Sequence, residues 1–217
     1  MHKWKELGMR FDTIYIGYLG SLTLVELTRR FLELFREEDT KVILDPAFGD
    51  FGRMYSLMDE SMPRQMRRLV SRARTIVPNV TEASYLLDEP YPGESAGEEI
   101  ISAFCRRLLA LGPENVVITD VNFRPGETGI ALLRKGMEKP MYLFHQRFEG
   151  IFHGTGDVFA SFLLGALMND LPLEAAAQTA LEMTHAAIAE TLKGGEHLRY
   201  GMQFEKVLPL FWQRMSR

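Results

Sequence analysis

The chain has 217 residues, 46% hydrophobic and 25% charged, which is the composition of a globular chain with a sizeable core and one expected domain. A formal charge of -4 and an isoelectric point near 5.8 argue against a general nucleic-acid binder, which needs a basic face to displace counterions, and favour small molecules or proteins as partners. Cys105 is the only cysteine, so no intrachain disulfide can form. With neither a signal peptide nor an apolar run of membrane length, the expected location is the cytoplasm.

Short β-rich runs alternate with helical patterns along the chain. TIYIGYL, residues 13–19, reads as a strand, and SLTLVELTRRFLELFREE follows with apolar residues at helical spacing and Ser21 as its N-cap. KVILDP is the next strand, ending at Asp45-Pro46 and a glycine-containing loop, AFGDFGRMY. A basic amphipathic helix around MPRQMRRLVSRA then carries a solvated arginine face over Met66, Leu69 and Val70. TIVPN is a third short strand closed by Pro78, TEASYLL starts a helix, and GEEIISAFCRRLLALG is another, with Cys105 as a buried structural thiol. NVVITD is a strand, and FRPGETGIALLRK and MYLFHQRF are late, partly antiparallel strands. Three helices close the chain, beginning near Asp157, Pro172 and Gln203; the last carries Phe204, Val207, Leu208, Phe211, Trp212 and Met215 along one side, the pattern of a core stripe. The apolar run after Asp157 is stopped by Asn169, Asp170 and Pro172 too early to span a bilayer and reads as a buried core helix. His2, His145, His185 and His197 show no metal-ligand spacing.

Strand and helix alternation without internal repeats predicts an open, mostly parallel α/β sheet covered by helices on both faces. In such sheets ligands bind outside the carboxyl ends of the strands. Those ends hold Tyr18, Asp45, Asn79 and Thr119, and a later helix opens with Gly154-Thr155-Gly156-Asp157. Glycines there turn the backbone, and the N–H groups of a first helical turn attract anions. Asp157 in that turn is either a cap or a base. The chemistry that fits is phosphoryl transfer, which needs donors around the transferring group, a divalent cation and a carboxylate to orient or deprotonate the acceptor hydroxyl. Gly154 to Gly156 offer the donors, Asp157 the carboxylate, and Asp45, Asp50 and Glu82 an acidic group for hydrated magnesium. The chain has neither the GxxxxGK phosphate loop nor a kinase glycine-rich loop with its lysine strand, so a nucleotide enzyme here belongs to another lineage.

DPAFGDFGRMY, VPNVTEASYLL, NVVITD and HGTGDVFASFLLGAL, in this order, resemble the pyridoxal kinase branch of the ribokinase-like superfamily, as does GYLG at Gly17 to Gly20. The resemblance extends over nearly the whole chain. It implies a ribokinase-like three-layer α/β/α fold with a mostly parallel central sheet, a single kinase domain over residues 1–217, and a homodimer. The implied reaction is ATP-dependent phosphorylation of the 5′-hydroxymethyl group of pyridoxal, pyridoxine or pyridoxamine. Asp157 is then the base and Gly154, Thr155 and Gly156 the anion hole. Asp45, Asn79 and Thr119 line the ATP side, Glu82 and Asp50 hold Mg2+ through water, and Tyr18 touches the pyridine ring of the vitamer. Plainer roles also fit four of these residues: a packed strand-end tyrosine for Tyr18, a strand threonine for Thr119, turn shaping for Asp50 and a first-turn helix carboxylate for Glu82. His153 stands where the resemblance leads one to expect proline or serine. Relatives of this kind begin with a strand and loop carrying substrate-binding serine and threonine residues, followed by a lid-forming segment. This chain instead opens like the tail of a helix leading into an interior strand, so an N-terminal block is expected to be absent. Two other outcomes therefore stay open: a hydroxymethylpyrimidine or other small-molecule kinase of the same superfamily, and an inactive nucleotide-binding remnant.

Overall fold

A computed structural model describes residues 1–93, 96–194 and 201–216. In chain order the first elements are α1 (His2–Glu6), β1 (Thr13–Ile16), α2 (Leu22–Phe35), β2 (Lys41–Leu44), β3 (Gly49–Asp50), β4 (Arg53–Met54), α3 (Met62–Val70), β5 (Thr75–Ile76) and α4 (Val80–Leu87). They are followed by α5 (Glu98–Leu109), β6 (Asn115–Val121), β7 (Glu127–Arg134), β8 (Met141–Gln146), α6 (Thr155–Met168), α7 (Leu173–Lys193), a 3-10 turn (Phe204–Val207) and α8 (Leu208–Met215). Six strands form one sheet in the order β1-β2-β5-β6-β7-β8, and β3 with β4 makes a separate antiparallel ribbon. The first four strands are parallel, and their register places Ile16, Leu44, Ile76 and Val116 in one row. All four are buried, as strands covered on both faces require.

The chain divides into two compact units. The first comprises 1–121 and 131–141, and its core is built on that row together with Phe48, Met66, Leu86 and Leu108. Ser21 caps α2 as expected, its side chain accepting from the Leu24 N–H at 3.3 Å. That helix ends at Phe35, because the backbone of Arg36 is extended, and the predicted Arg36-Glu37-Glu38 continuation lies outside it. Trp4, Phe11, Phe31 and Phe35 form an aromatic cluster, with Phe31 and Phe35 centroids 4.8 Å apart. Helix α3 buries Met66, Leu69 and Val70 and leaves Arg64 and Arg68 exposed, which is the amphipathic arrangement predicted. Cys105 is buried, and burial pushes its thiol up to about 12.

Three local expectations need correction in this unit. The TIYIGYL strand stops at Ile16, so Tyr18 lies beyond it. The AFGDFGRMY segment is not plain loop: Phe51 and Gly52, both at positive φ, make the two-residue turn of the β3–β4 ribbon. The third strand is only Thr75–Ile76, since Pro78 has no N–H to extend a ladder.

The second unit comprises 122–130 and 142–217. Here the Arg147 N–H donates to the Gly126 carbonyl at 2.8 Å, and a Cβ on Gly129 would lie 2.0 Å from the Leu143 carbonyl oxygen. The chain-opposed order of these two pairs is that of the expected antiparallel hairpin. Helix α6 buries Phe159, Ala160, Leu163 and Ala166, and α7 buries Ala176, Ala177, Ala180 and Ala187, whose small side chains let helices approach closely. The last predicted helix is broken. A 3-10 turn precedes α8, and its three-residue period shifts the side chains off the α-helical stripe. Val207 is buried and Phe211 packs on Phe162 with centroids 5.0 Å apart, but Phe204 and Leu208 are exposed and Trp212 is 73% exposed, so the expected core stripe does not form. No helix among the described residues is long and apolar enough to cross a membrane. His197 lies outside the described residues.

Candidate functional site

The carboxyl ends of β2, β5 and β6 bring four of the expected residues into the first unit. Asp45 follows β2 directly and is 7% exposed. Asn79 caps α4 and bridges Thr119 of β6 in parallel fashion, while the Thr119 N–H donates to the Pro78 carbonyl at 2.9 Å. Glu82 ties these segments together. Its Oε1 accepts the Phe48 N–H at 2.9 Å and the Gly49 N–H at 3.4 Å, and its Oε2 accepts the Asn79 N–H at 2.9 Å. Asn79 returns the bond, Oδ1 accepting the Glu82 N–H at 2.8 Å, and its Nδ2 donates to the Gly49 carbonyl at 2.8 Å. The result is a capping box that clamps the loop after β2 onto the start of α4. Gly49 is required there because a Cβ would meet the Arg53 carbonyl oxygen at 2.7 Å.

Glu82 is only 2% exposed, and its carboxyl is pushed up to about 8, first by burial and then by the negative charge of Asp45; the three backbone donors oppose the shift. Two acids that oppose each other's ionisation form a site a cation would relieve. Their donors are all oxygen, as Mg2+ prefers, and two carboxyls suit an ion that keeps most of its waters; among the described residues no three His, Cys, Asp or Glu side chains form a metal cluster. Asp50 serves its own turn, its Oδ1 accepting the Phe51 N–H at 2.8 Å.

Tyr18 is 55% exposed, and its ring lies over Gly20, where a Cβ would approach it to 3.0 Å. It is therefore a surface ring beside the strand end rather than a packed core tyrosine. Two contributors escaped the sequence reading. Tyr15 donates its hydroxyl to Asp45 Oδ2 at 3.1 Å, and Thr81 accepts the Gly52 N–H at 2.9 Å. The alternation of the β1 strand could have found Tyr15, which breaks a run of apolar positions; the Thr81 contact joins residues 29 apart and left no local signal.

The glycine-led turn belongs to the second unit. Gly154 is the N-cap of α6 at φ 84°, and no side-chain hydrogen bond caps this helix. Asp157, exposed in the first turn, is thus not a cap. By helix geometry the N–H groups of Thr155, Gly156 and Asp157 have no carbonyl four residues back. A Cβ on Gly154 or Gly156 would meet nothing within 4 Å, so the turn is open above both. Thr155 uses its hydroxyl locally, donating to the Phe152 carbonyl at 3.2 Å.

The family model for phosphomethylpyrimidine kinase matches residues 6–201. The chain belongs to the phosphomethylpyrimidine kinase family. This family member is 30% identical over 185 residues to a pyridoxine/pyridoxal/pyridoxamine kinase of Bordetella avium, covering 82% of this chain and 60% of the relative. It is 23% identical over 203 residues to the pyridoxal kinase of Ovis aries, covering 85% and 63%. The chain thus spans about half to two thirds of the length of the curated relatives it matches. A Bacteroides thetaiotaomicron protein provisionally assigned as a phosphomethylpyrimidine kinase, crystallised with pyridoxal, superposes with a TM-score of 0.90 at 34% identity over 97% of this chain and 74% of that one. The pyridoxal kinase of Lactobacillus plantarum gives 0.85 at 29% identity over 99% and 74%. These likenesses give this phosphomethylpyrimidine kinase family member the ribokinase-like fold that its pyridoxal kinase neighbours share, as the motifs implied.

Proposed function

We propose that this chain acts in ATP-dependent phosphorylation of the 5′-hydroxymethyl group of a B6 vitamer, pyridoxal, pyridoxine or pyridoxamine. The observation that carries the reading is the uncapped acid: Asp157 is exposed in the first turn of a glycine-led helix and is not used to hold that turn together. The kinases of Bordetella avium and Lactobacillus plantarum, and the Bacteroides protein seen with pyridoxal, support the choice of substrate.

In this reading the Asp157 carboxylate takes the proton of the hydroxymethyl O–H as that oxygen bonds to the γ-phosphorus. The bond from the γ-phosphorus to the β,γ-bridging oxygen breaks, and ADP leaves with its electron pair. The N–H groups of Gly154, Thr155 and Gly156 stabilise charge on the transferring phosphoryl oxygens. Asp45, Asn79 and Thr119 serve the nucleotide; both polar side-chain atoms of Asn79 already hold backbone groups, so its part is to keep the strand end in shape. Tyr18 offers its exposed ring to the pyridine. Glu82, with Asp50 as a lesser contributor, would hold Mg2+ through water once the ion's charge offsets the burial and the Asp45 charge that favour its protonated form, and the ion would neutralise phosphate charge. The protein works as a cytoplasmic homodimer in this reading.

The family description favours a second reading, phosphorylation of a hydroxymethylpyrimidine by the same base and anion hole. Turnover measured with ATP on pyridoxal, pyridoxine, pyridoxamine and hydroxymethylpyrimidine separates the two. The B6 reading expects a higher kcat/KM on at least one vitamer; preference for the pyrimidine would replace it, and turnover of none would leave a nucleotide-binding remnant.

A further inference from the structure

We infer that Tyr15 is a positioning residue for the nucleotide side of this site, aiming the Asp45 carboxylate through its phenolic hydroxyl; the inference rests on the kinase reading above. Tyr15 stands on β1 opposite Ile43, and its hydroxyl reaches across to Asp45 Oδ2 at 3.1 Å. The Asp45 N–H in turn donates to the Ile16 carbonyl at 2.8 Å, so β1 holds both the backbone and the side chain of that aspartate. The tyrosine ring lies over Gly17, where a Cβ would approach it to 3.3 Å, and the glycine allows the ring its place.

Need distinguishes the two partners. Tyr15 is 36% exposed, and a hydroxyl on such a side chain can be satisfied by water. Asp45 is 7% exposed and stands near enough to buried Glu82 for its charge to act on that carboxyl. A charge-assisted O–H···O bond there stabilises the ionised aspartate and limits its rotamers. A carboxylate serves anionic phosphates only through a donor or a hydrated cation, so the direction of its lone pairs decides whether it helps or repels. The hydroxyl of Tyr15 sets that direction.

Tyr15→Phe keeps the ring and removes the hydroxyl. The expected result is a thermal midpoint within about 2 °C of the unmodified chain, with ATP affinity and KM for ATP weakened about five- to tenfold. KM for the alcohol stays unchanged. The loss disappears when Tyr15→Phe is made in an Asp45→Ala background, with Asp45→Asn as the background if the alanine variant does not fold. Equal ATP affinity in Tyr15→Phe and the unmodified chain, or additive effects in the double variant, overturns the inference. If the unmodified chain binds ATP but phosphorylates none of the alcohols, the kinase reading falls while the calorimetric ATP affinities still decide Tyr15; if it binds no ATP, both fall.

Discussion

Glu82 does two kinds of work with one carboxyl. It accepts three backbone N–H groups, and it is nevertheless held largely protonated near neutral pH by burial and by Asp45. The folded-state value, about 8, lies above the ordinary 4.5, so the fold favours the protonated acid. The stability this contributes is full below about pH 4.5 and is lost as pH rises toward about 8. Across that window the thermal midpoint of the unmodified chain should fall relative to that of Glu82→Gln, whose amide does not titrate; parallel curves would show an ionised Glu82 throughout. At the low end of the window the glutamine variant should be the less stable by about 1–3 kcal/mol, because an amide with one oxygen cannot accept at both ends of the clamp. Asp157 poses the opposite case, an exposed acid with no capping duty. Asp157→Asn should leave ATP affinity within about twofold and cut turnover by about two to four orders of magnitude, the usual loss for a general base. Near-normal turnover in a steady-state assay would remove it from that role.

At the scale of elements, the expected site rests on turns rather than on strands. The β3–β4 ribbon turns on Phe51 and Gly52 and the start of α6 on Gly154, all at positive φ, whereas the capping box of α4 is set by the side chains of Asn79 and Glu82 on ordinary backbone. The same dependence on a small residue appears in the β7–β8 hairpin, where a side chain at Gly129 would run into the Leu143 carbonyl. Backbone on a paired strand cannot yield as a flexible side chain can. Gly129→Ala is therefore expected to cost about 3 kcal/mol or more, read by denaturant unfolding. A cost under about 0.5 kcal/mol would mean that the two strands separate easily.

For the whole molecule, Cys105 provides a reporter. It is buried on α5, and its thiol is pushed up to about 12, so in the native protein the reactive thiolate is scarce and shielded. Labelling by a disulfide reagent at pH 8 should be slower than in denaturant by about three orders of magnitude or more. Comparable rates in the two conditions would place this thiol in a segment that opens without global unfolding.

The sequence by itself determined the alternation of strands and helices, the polar residues that close the strands, the Ser21 cap, the amphipathic α3 and, through its motifs, the family. These are local or ordered patterns, and each is written in neighbouring residues: apolar periodicity for the elements, glycine and proline for the breaks, and short polar signatures for the site. Tertiary structure decided what depends on residues distant in the chain. Glu82 reads locally as a first-turn carboxylate, yet its burial and its bonds to Phe48 and Gly49, more than 30 residues away, make it a clamp with a raised pKa. Tyr15 looks like one more strand residue until β1 pairs with β2 and sets its hydroxyl on Asp45. Trp212 looks like core until the 3-10 turn before α8 shifts the period that would have buried it. Propensity and spacing act over a few residues, whereas desolvation and hydrogen-bond partners depend on which segments the sheet brings side by side.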